Sequence, residues 1–261
     1  QAVSKVGADV FIVSYDRQGW EETRAAVETN GARRYSCCRT SRSQGAAKKI
    51  VQQAMQEFGR IDVLINNAGM QRRHELVEFP DEDWKAVIEL NLNALYYLSH
   101  EVATIMIEQK SGKIVNIGSM QSYRAGKFIF PYAASKHAVM GLTRAYADAL
   151  APYNVQVNGL APGYINTPMT KVLQEDPVRS VEIREHIPAG HWGEPKELMG
   201  AMVFLCSKAS DYVTGVMLPS TRIPASLTYR QIHDLIPRNI KVPPLSRVRC
   251  STCSCIAFVR I

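Results

Sequence analysis

The chain has 261 residues, 46% hydrophobic and 21% charged, with a formal net charge of +7 at pH 7. It is long enough to bury a full core in one domain. It has neither the run of roughly eighteen apolar residues that a membrane span needs nor a basic-then-apolar leader pattern, so a cytoplasmic protein with no membrane partner is the expectation. The charge does not suit a nucleic-acid partner, because residues 220–261 hold seven Lys or Arg against one acid, Asp234, and the body is nearly neutral.

In chain order, residues 10–13 read as a strand. Ala46, Ile50, Val51, Ala54 and Phe58 recur at helical spacing within 43–58. Residues 62–66 form a second apolar strand that ends at Asn66-Asn67-Ala68-Gly69. Trp84, Val87, Ile88, Leu92, Leu95 and Leu98 predict a helix over 81–110. A strand at 113–117 then delivers Ser119 at its C-terminal end. The helix 131–151 opens with Pro131, a good first-turn residue. A strand at 155–160 runs into Ala161-Pro162-Gly163, and a helix at 195–207 precedes a turn at 212–215. Cys206 in that helix reads as a buried free thiol. Short apolar strands alternating with amphipathic helices predict an α/β fold with a doubly wound, parallel, Rossmann-like sheet. Ligands bind such sheets at the carboxyl ends of the strands, where Asn67, Ser119, Pro162 and Gly163 fall.

The chemistry concentrates in Tyr132 and Lys136, four residues apart and so on one helix face, with Ser119 thirteen residues before the tyrosine. Free tyrosine titrates near pKa ~10, and moving it to about 7 takes roughly 4 kcal/mol in favour of the phenolate. A lysine charge about 4 Å away, at an effective dielectric near 20, supplies about that much. The pair is therefore expected to make Tyr132 an acid–base group near neutral pH. The six histidines show no metal-ligand spacing, and no catalytic metal is expected. Cys250, Cys253 and Cys255 lack the second ligand pair a zinc site needs.

Asn66-Asn67-Ala68-Gly69, Asn91, Ser119, Tyr132, Lys136 and Pro162-Gly163 stand in an order and spacing that resembles the short-chain dehydrogenase/reductase family. The resemblance covers roughly residues 1–219. Met70-Gln71-Arg72-Arg73, Gly118-Ser119-Met120, Pro162 to Thr167 and Ile187 to Gly193 resemble its branch acting on keto-deoxy sugar acids, of the 2-deoxy-D-gluconate 3-dehydrogenase or 2-dehydro-3-deoxy-D-gluconate 5-dehydrogenase type. The resemblance implies hydride exchange with a nicotinamide cofactor, with Tyr132 exchanging the proton and Ser119 holding the same substrate oxygen. It implies that Lys136 grips the nicotinamide ribose and that Asn91 anchors a proton-relay water. Asn67, Ala68 and Gly69 would line the adenosine side, and Ile165 and Thr167 the nicotinamide amide and phosphate. Arg72 and Arg73 are candidates for a substrate carboxylate, and Arg73 and Gln121 complete the expected substrate site. The family's helices at 81–110 and 131–151 imply a homo-oligomer, dimer or tetramer. A gluconate 5-dehydrogenase or 3-oxoacyl reductase, or an inert fragment that keeps the oligomer surface, are the alternatives. Asp16 and the branch favour NAD, while Arg17 leaves NADP open.

Three departures stand against the family pattern. No Gly-x-x-x-Gly-x-Gly turn precedes the strand at 10–13, so the first, central strand and its phosphate cradle read as absent, with their neighbours unpaired. Residues 34–42 are neither apolar nor acidic where an apolar strand ending in aspartate is expected. After residue 219 the chain runs on as a basic, unpatterned tail, 220–261, expected to be disordered. An N-terminally incomplete coding frame, disrupted near 35–43 and after 219, accounts for all three, and sequencing the coding DNA tests it.

Overall fold

The computed structural model describes residues 1–14, 17–30, 34–38, 43–220 and 255–260. Seven strands form one sheet: β1 (Asp9–Ser14), β2 (Arg34–Cys38), β3 (Val63–Asn66), β4 (Gly112–Ile117), β5 (Val155–Pro162), β6 (Met217–Ser220) and β7 (Cys255–Arg260). Their order across the sheet is β2-β1-β7-β3-β4-β5-β6. The helices are α1 (Arg17–Glu28), α2 (Gln44–Phe58), α3 (Asp81–Ile88), α4 (Ala94–Gln109), α5 (Phe130–Leu150), α6 (Lys171–Glu175), α7 (Pro177–Glu185) and α8 (Met199–Cys206).

The strands read as continuous apolar runs because both sheet faces are covered. Phe11, Val13, Leu64 and Ile114 pack with Ile50, Ala54, Leu98, Met106 and Ala147 of α2, α4 and α5. Their neighbours Val10, Ile12, Val63, Ile65 and Val115 point the other way, onto Val27 and Leu205 of α1 and α8. Local signals set the helix ends. Ser43 caps α2 by accepting from the Ala46 amide at 3.3 Å, and Gly59 stops it at φ 71°. The helix expected over 81–110 is α3 and α4 joined through a π turn at Glu89–Asn93. The odd segment at 34–38 is β2, paired in parallel to β1 at the sheet edge.

The largest departure from the sequence reading lies at the centre of the sheet. Residues 255–260 are not an unpatterned tail: they form β7, between β1 and β3 and antiparallel to both. The neighbours expected to lack a partner are therefore paired, and the sheet is mixed rather than wholly parallel. β7 alternates as a central strand should, with Ile256 and Phe258 on one layer and Val259 on the other. Phe258 is fully buried, lies opposite Phe11 and Leu64, and meets the Phe11 ring edge-on at 5.9 Å. The six-residue run hid in the sequence because nothing local distinguishes it from a chance apolar stretch. Residues 221–254, with Cys250 and Cys253, lie outside the described residues.

Phe258→Ala should cost about 3–5 kcal/mol through the cavity it leaves. The cost should appear as a lower urea midpoint with an unchanged slope. A loss under about 0.5 kcal/mol, the size of a surface change, would place this residue outside the core.

Candidate active site

Four elements converge at the carboxyl edge of the parallel strands. β4 ends just before Ser119, α5 presents Tyr132 and Lys136, the π turn holds Asn91, and β3 runs into Asn67, Ala68 and Gly69. Asn67 is exposed and Gly69 buried; a Cβ on Gly69 would sit 3.5 Å from Asn91 Oδ1 and 3.7 Å from Lys136 Nζ.

Hydrogen bonds to backbone fix these positions. Asn91 Oδ1 accepts from the Met70 amide at 2.8 Å, while its Nδ2 donates to Met70 O at 3.0 Å and to Ser135 Oγ at 3.2 Å. Ser135 Oγ donates in turn to Tyr132 O at 2.8 Å. Ser119 Oγ accepts from the Gln121 amide at 3.1 Å. Ser122 ties that turn to α5, accepting from the Ser119 amide at 3.3 Å and donating to Lys136 O at 2.8 Å. Deeper in the sheet, Asn66 Nδ2 donates to Ser99 Oγ at 3.0 Å and Asn116 Oδ1 at 2.9 Å, and Asn116 Nδ2 donates to Thr143 Oγ1 at 3.0 Å. This line of buried amides and hydroxyls locks α4, β3, β4 and α5 together. Ser122, Ser135, Asn116 and Thr143 were not singled out from the sequence; three of them bind backbone, a role that leaves no spacing signature.

The electrostatics differ from the sequence expectation. Lys136 Nζ lies 5.6 Å from the Tyr132 ring centroid and donates to Ile117 O at 2.6 Å. Burial pushes the Tyr132 phenol above its usual value, with the hydrogen bond to the Ser119 side chain acting the other way. Burial lowers Lys136 to about 8. The lowering of Tyr132 by Lys136 is thus corrected: in the chain's own field the phenol rises, because both groups are buried and desolvation favours the neutral form of each.

A second wall beside Ser119 is built from the segments after β5 and β3. Ile165 bridges Gly193 in parallel, and a Cβ on Gly193 would lie 2.7 Å from Ile165 Cδ1, so a side chain there would make the end of Ile165 shift. Thr170 Oγ1 donates to Ile165 O at 2.6 Å and accepts from the Thr167 amide at 3.1 Å. Gly163 N donates to Ser220 O at 3.3 Å, which fixes the turn after Pro162. Tyr164 and Trp192 meet edge-on at 5.4 Å and, with Ile183 and Ile187, pack against Met120 next to Ser119.

The two arginines part company. Arg72 Nε is bound to Asp83 at 3.1 Å, and the same carboxylate takes His74 Nε2 at 2.7 Å. Arg73 lies 5.7 Å from the Phe128 ring centroid and has no acidic partner among the described residues. Its Nε is buried without a hydrogen-bond partner, and so is Trp192 Nε1. Burial, followed by the nearby Arg179 charge, lowers the Arg73 pKa, with Tyr164 opposing. The Gln121 amide, turned so that its nitrogen faces acceptors, donates to Ala125 O at 2.8 Å and Arg124 O at 3.1 Å. Asp16 lies outside the described residues, as does the side chain of Arg17.

Residues 1–220 match the family model described as enoyl-(acyl carrier protein) reductase. The chain belongs to the short-chain dehydrogenase/reductase family of oxidoreductases. It is 43% identical over 214 residues to 2-dehydro-3-deoxy-D-gluconate 5-dehydrogenase of Dickeya dadantii (strain 3937), covering 82% of this chain and 84% of that protein. It is 51% identical over 168 residues to 5-keto-D-gluconate 5-reductase of Escherichia coli (strain K12), covering 64% of this chain and 66% of that one. Among solved structures, a gluconate 5-dehydrogenase from Burkholderia cenocepacia J2315 in complex with NADP and tartrate matches with a TM-score of 0.80 at 35% identity, over 85% of this chain and 87% of that one. Among the described residues no helix is long and apolar enough to cross a membrane.

The low Lys136 pKa gives a pH signature. Between about 8 and its ordinary 10.5, the folded chain binds fewer protons here than the unfolded chain, so this group's contribution to stability rises with pH across that window. For carbonyl reduction, kcat/KM should fall as Lys136 loses its proton above about 8. Lys136→Arg, whose guanidinium stays charged, should remove that limb; an unchanged limb in the variant would assign it to another group.

Proposed function

We propose that the chain exchanges a hydride between a nicotinamide cofactor and a sugar acid of the 2-dehydro-3-deoxy-D-gluconate or 2-deoxy-D-gluconate type. Tyr132 donates its phenolic proton to the substrate oxygen in reduction and takes it back in oxidation. Ser119, whose side chain opposes the burial-driven rise of the Tyr132 pKa, holds the same oxygen. The nicotinamide, when bound, supplies or accepts the hydride. Lys136, Asn67, Ala68, Gly69, Pro162, Gly163, Ile165 and Thr167 would hold that end of the cofactor. The buried face that Lys136 and Asn91 share beside Gly69 suits a ribose rich in hydroxyls.

The observation that carries the substrate class is Arg73, whose buried Nε lacks a partner and which pairs with no acid among the described residues. A buried guanidinium N–H left unpaired is costly unless a ligand oxygen completes it. Trp192 Nε1, also buried and unpartnered, offers a second donor for an oxygen-rich substrate. Gln121 would reach substrate through its carbonyl oxygen, since its nitrogen is engaged by the loop. The gluconate and 5-keto-gluconate names of the relatives support the same class and make gluconate 5-dehydrogenase chemistry the second reading. Tyr96, which is 41% exposed and stacks on His100 at 5.8 Å, supports α4 as part of a homo-oligomer face.

A panel of keto-deoxy sugar acids, 5-keto-gluconate and a 3-oxoacyl thioester, followed by reduced-cofactor absorbance, separates these readings. Tyr132→Phe should lower kcat about 10²–10⁴-fold, the range for losing a general acid–base group. Arg73→Met should raise KM for the acid while leaving the uncharged ketone analogue unaffected. Turnover of the thioester in preference to every sugar acid would contradict the substrate class.

A further inference from the structure

The backbone around Arg73 is held from both sides. Arg72 and His74, its neighbours in sequence, share the Asp83 carboxylate in the first turn of α3, at 3.1 and 2.7 Å. The His74 ring meets Phe79 edge-on at 5.0 Å, and Phe79 meets Phe130 of α5 edge-on at 5.9 Å. The His74 amide also donates to Phe128 O at 3.1 Å. Arg73 is thereby set against the loop that enters α5, in which Phe128 stands four residues before Tyr132.

Phe128 has a backbone conformation that an aromatic residue rarely adopts. Its φ is 69°, in the left-handed region, where a Cβ crowds the neighbouring carbonyl. Such conformations persist only where surrounding contacts hold them, and they cluster at functional sites. Here the ring carries two cations: Arg73 Cζ lies 5.7 Å from its centroid and Lys127 Nζ 4.7 Å. Neither forms an ion pair with an acid among the described residues. A ring face attracts a guanidinium through its quadrupole and takes up none of its N–H donors. A carboxylate, as Asp83 does on Arg72, would engage those donors and compete with an incoming anion. On Arg73 the Nε instead stays buried and unpartnered.

We infer that Phe128 is a positioning residue that selects acidic substrates: its ring holds Arg73 in place while leaving a donor open to a substrate carboxylate. The inference rests on the sugar-acid reading above. The test compares KM and kcat of the full chain for the best-used sugar acid of the panel and for its uncharged amide, followed by reduced-cofactor absorbance. Phe128→Leu keeps an apolar side chain and removes the ring. It should raise KM for the acid about 2–30-fold, the range for losing one cation–π contact, with the change falling on KM rather than kcat and sparing the amide. Phe128→Tyr, which keeps the ring, should restore the KM. In an Arg73→Met background Phe128→Leu should add nothing. Phe128→Gly, which takes the left-handed φ freely, repeats the test if the leucine variant fails to fold. An equal rise for acid and amide, the same rise in the Arg73→Met background, or no rise where Arg73→Met gives one would overturn the inference and leave the sugar-acid reading intact. Arg73→Met without effect on KM for the acid would overturn the two together.

Discussion

The backbone ladder of β7 is the interaction on which the rest of the structure depends. Among the described residues it alone joins the β1–β2 pair to the four strands from β3 to β6 across the sheet. Without it the facing edges of β1 and β3 would carry unpaired amides and carbonyls between two helical layers, a cost no nearby side chain offsets. Backbone groups pair equally well with a strand of either direction, so β7 serves the ladder and the core. Its reversed direction matters only at its ends, where it moves the exit of the chain from one edge to the other.

From that sheet the side chains around Tyr132 are placed by hydrogen bonds that run mostly to backbone. The Asn66–Asn116–Thr143 line crosses two strands into α5, and Ser122 joins the Ser119 turn to the same helix. Asn91, in the π turn, holds the Met70 peptide from both sides. Such networks are rigid because each buried donor that breaks loses its partner without gaining water. Precision at Tyr132 follows from the strands that carry its neighbours as much as from its own helix.

Much of this was legible in the sequence, for identifiable reasons. β3, β4 and β5 announce themselves as short apolar runs buried on both faces, and α2, α4 and α5 because their apolar residues recur at helical spacing. Asn91, Ser119, Tyr132 and Lys136 do converge, as their order and spacing implied. β7 was not legible, since a six-residue strand paired only with residues about two hundred positions away leaves no local trace. α6 and α7 were missed because their apolar residues face a small satellite cluster around Met120 and not the main core. The pKa of Tyr132 was misjudged because spacing gives the lysine's proximity but not the depth at which both groups are buried. Arg73 could be separated from Arg72 only once Asp83 was seen to bind the latter.

Hydrogen exchange followed by mass spectrometry on the peptide spanning β7 tests the central claim most directly. If β7 closes the sheet, the amides of Ile256 to Val259 exchange only by global opening, as slowly as those of β3 and β4. Exchange of that peptide on the timescale of an unprotected chain, while β3 and β4 stay protected, would contradict the account.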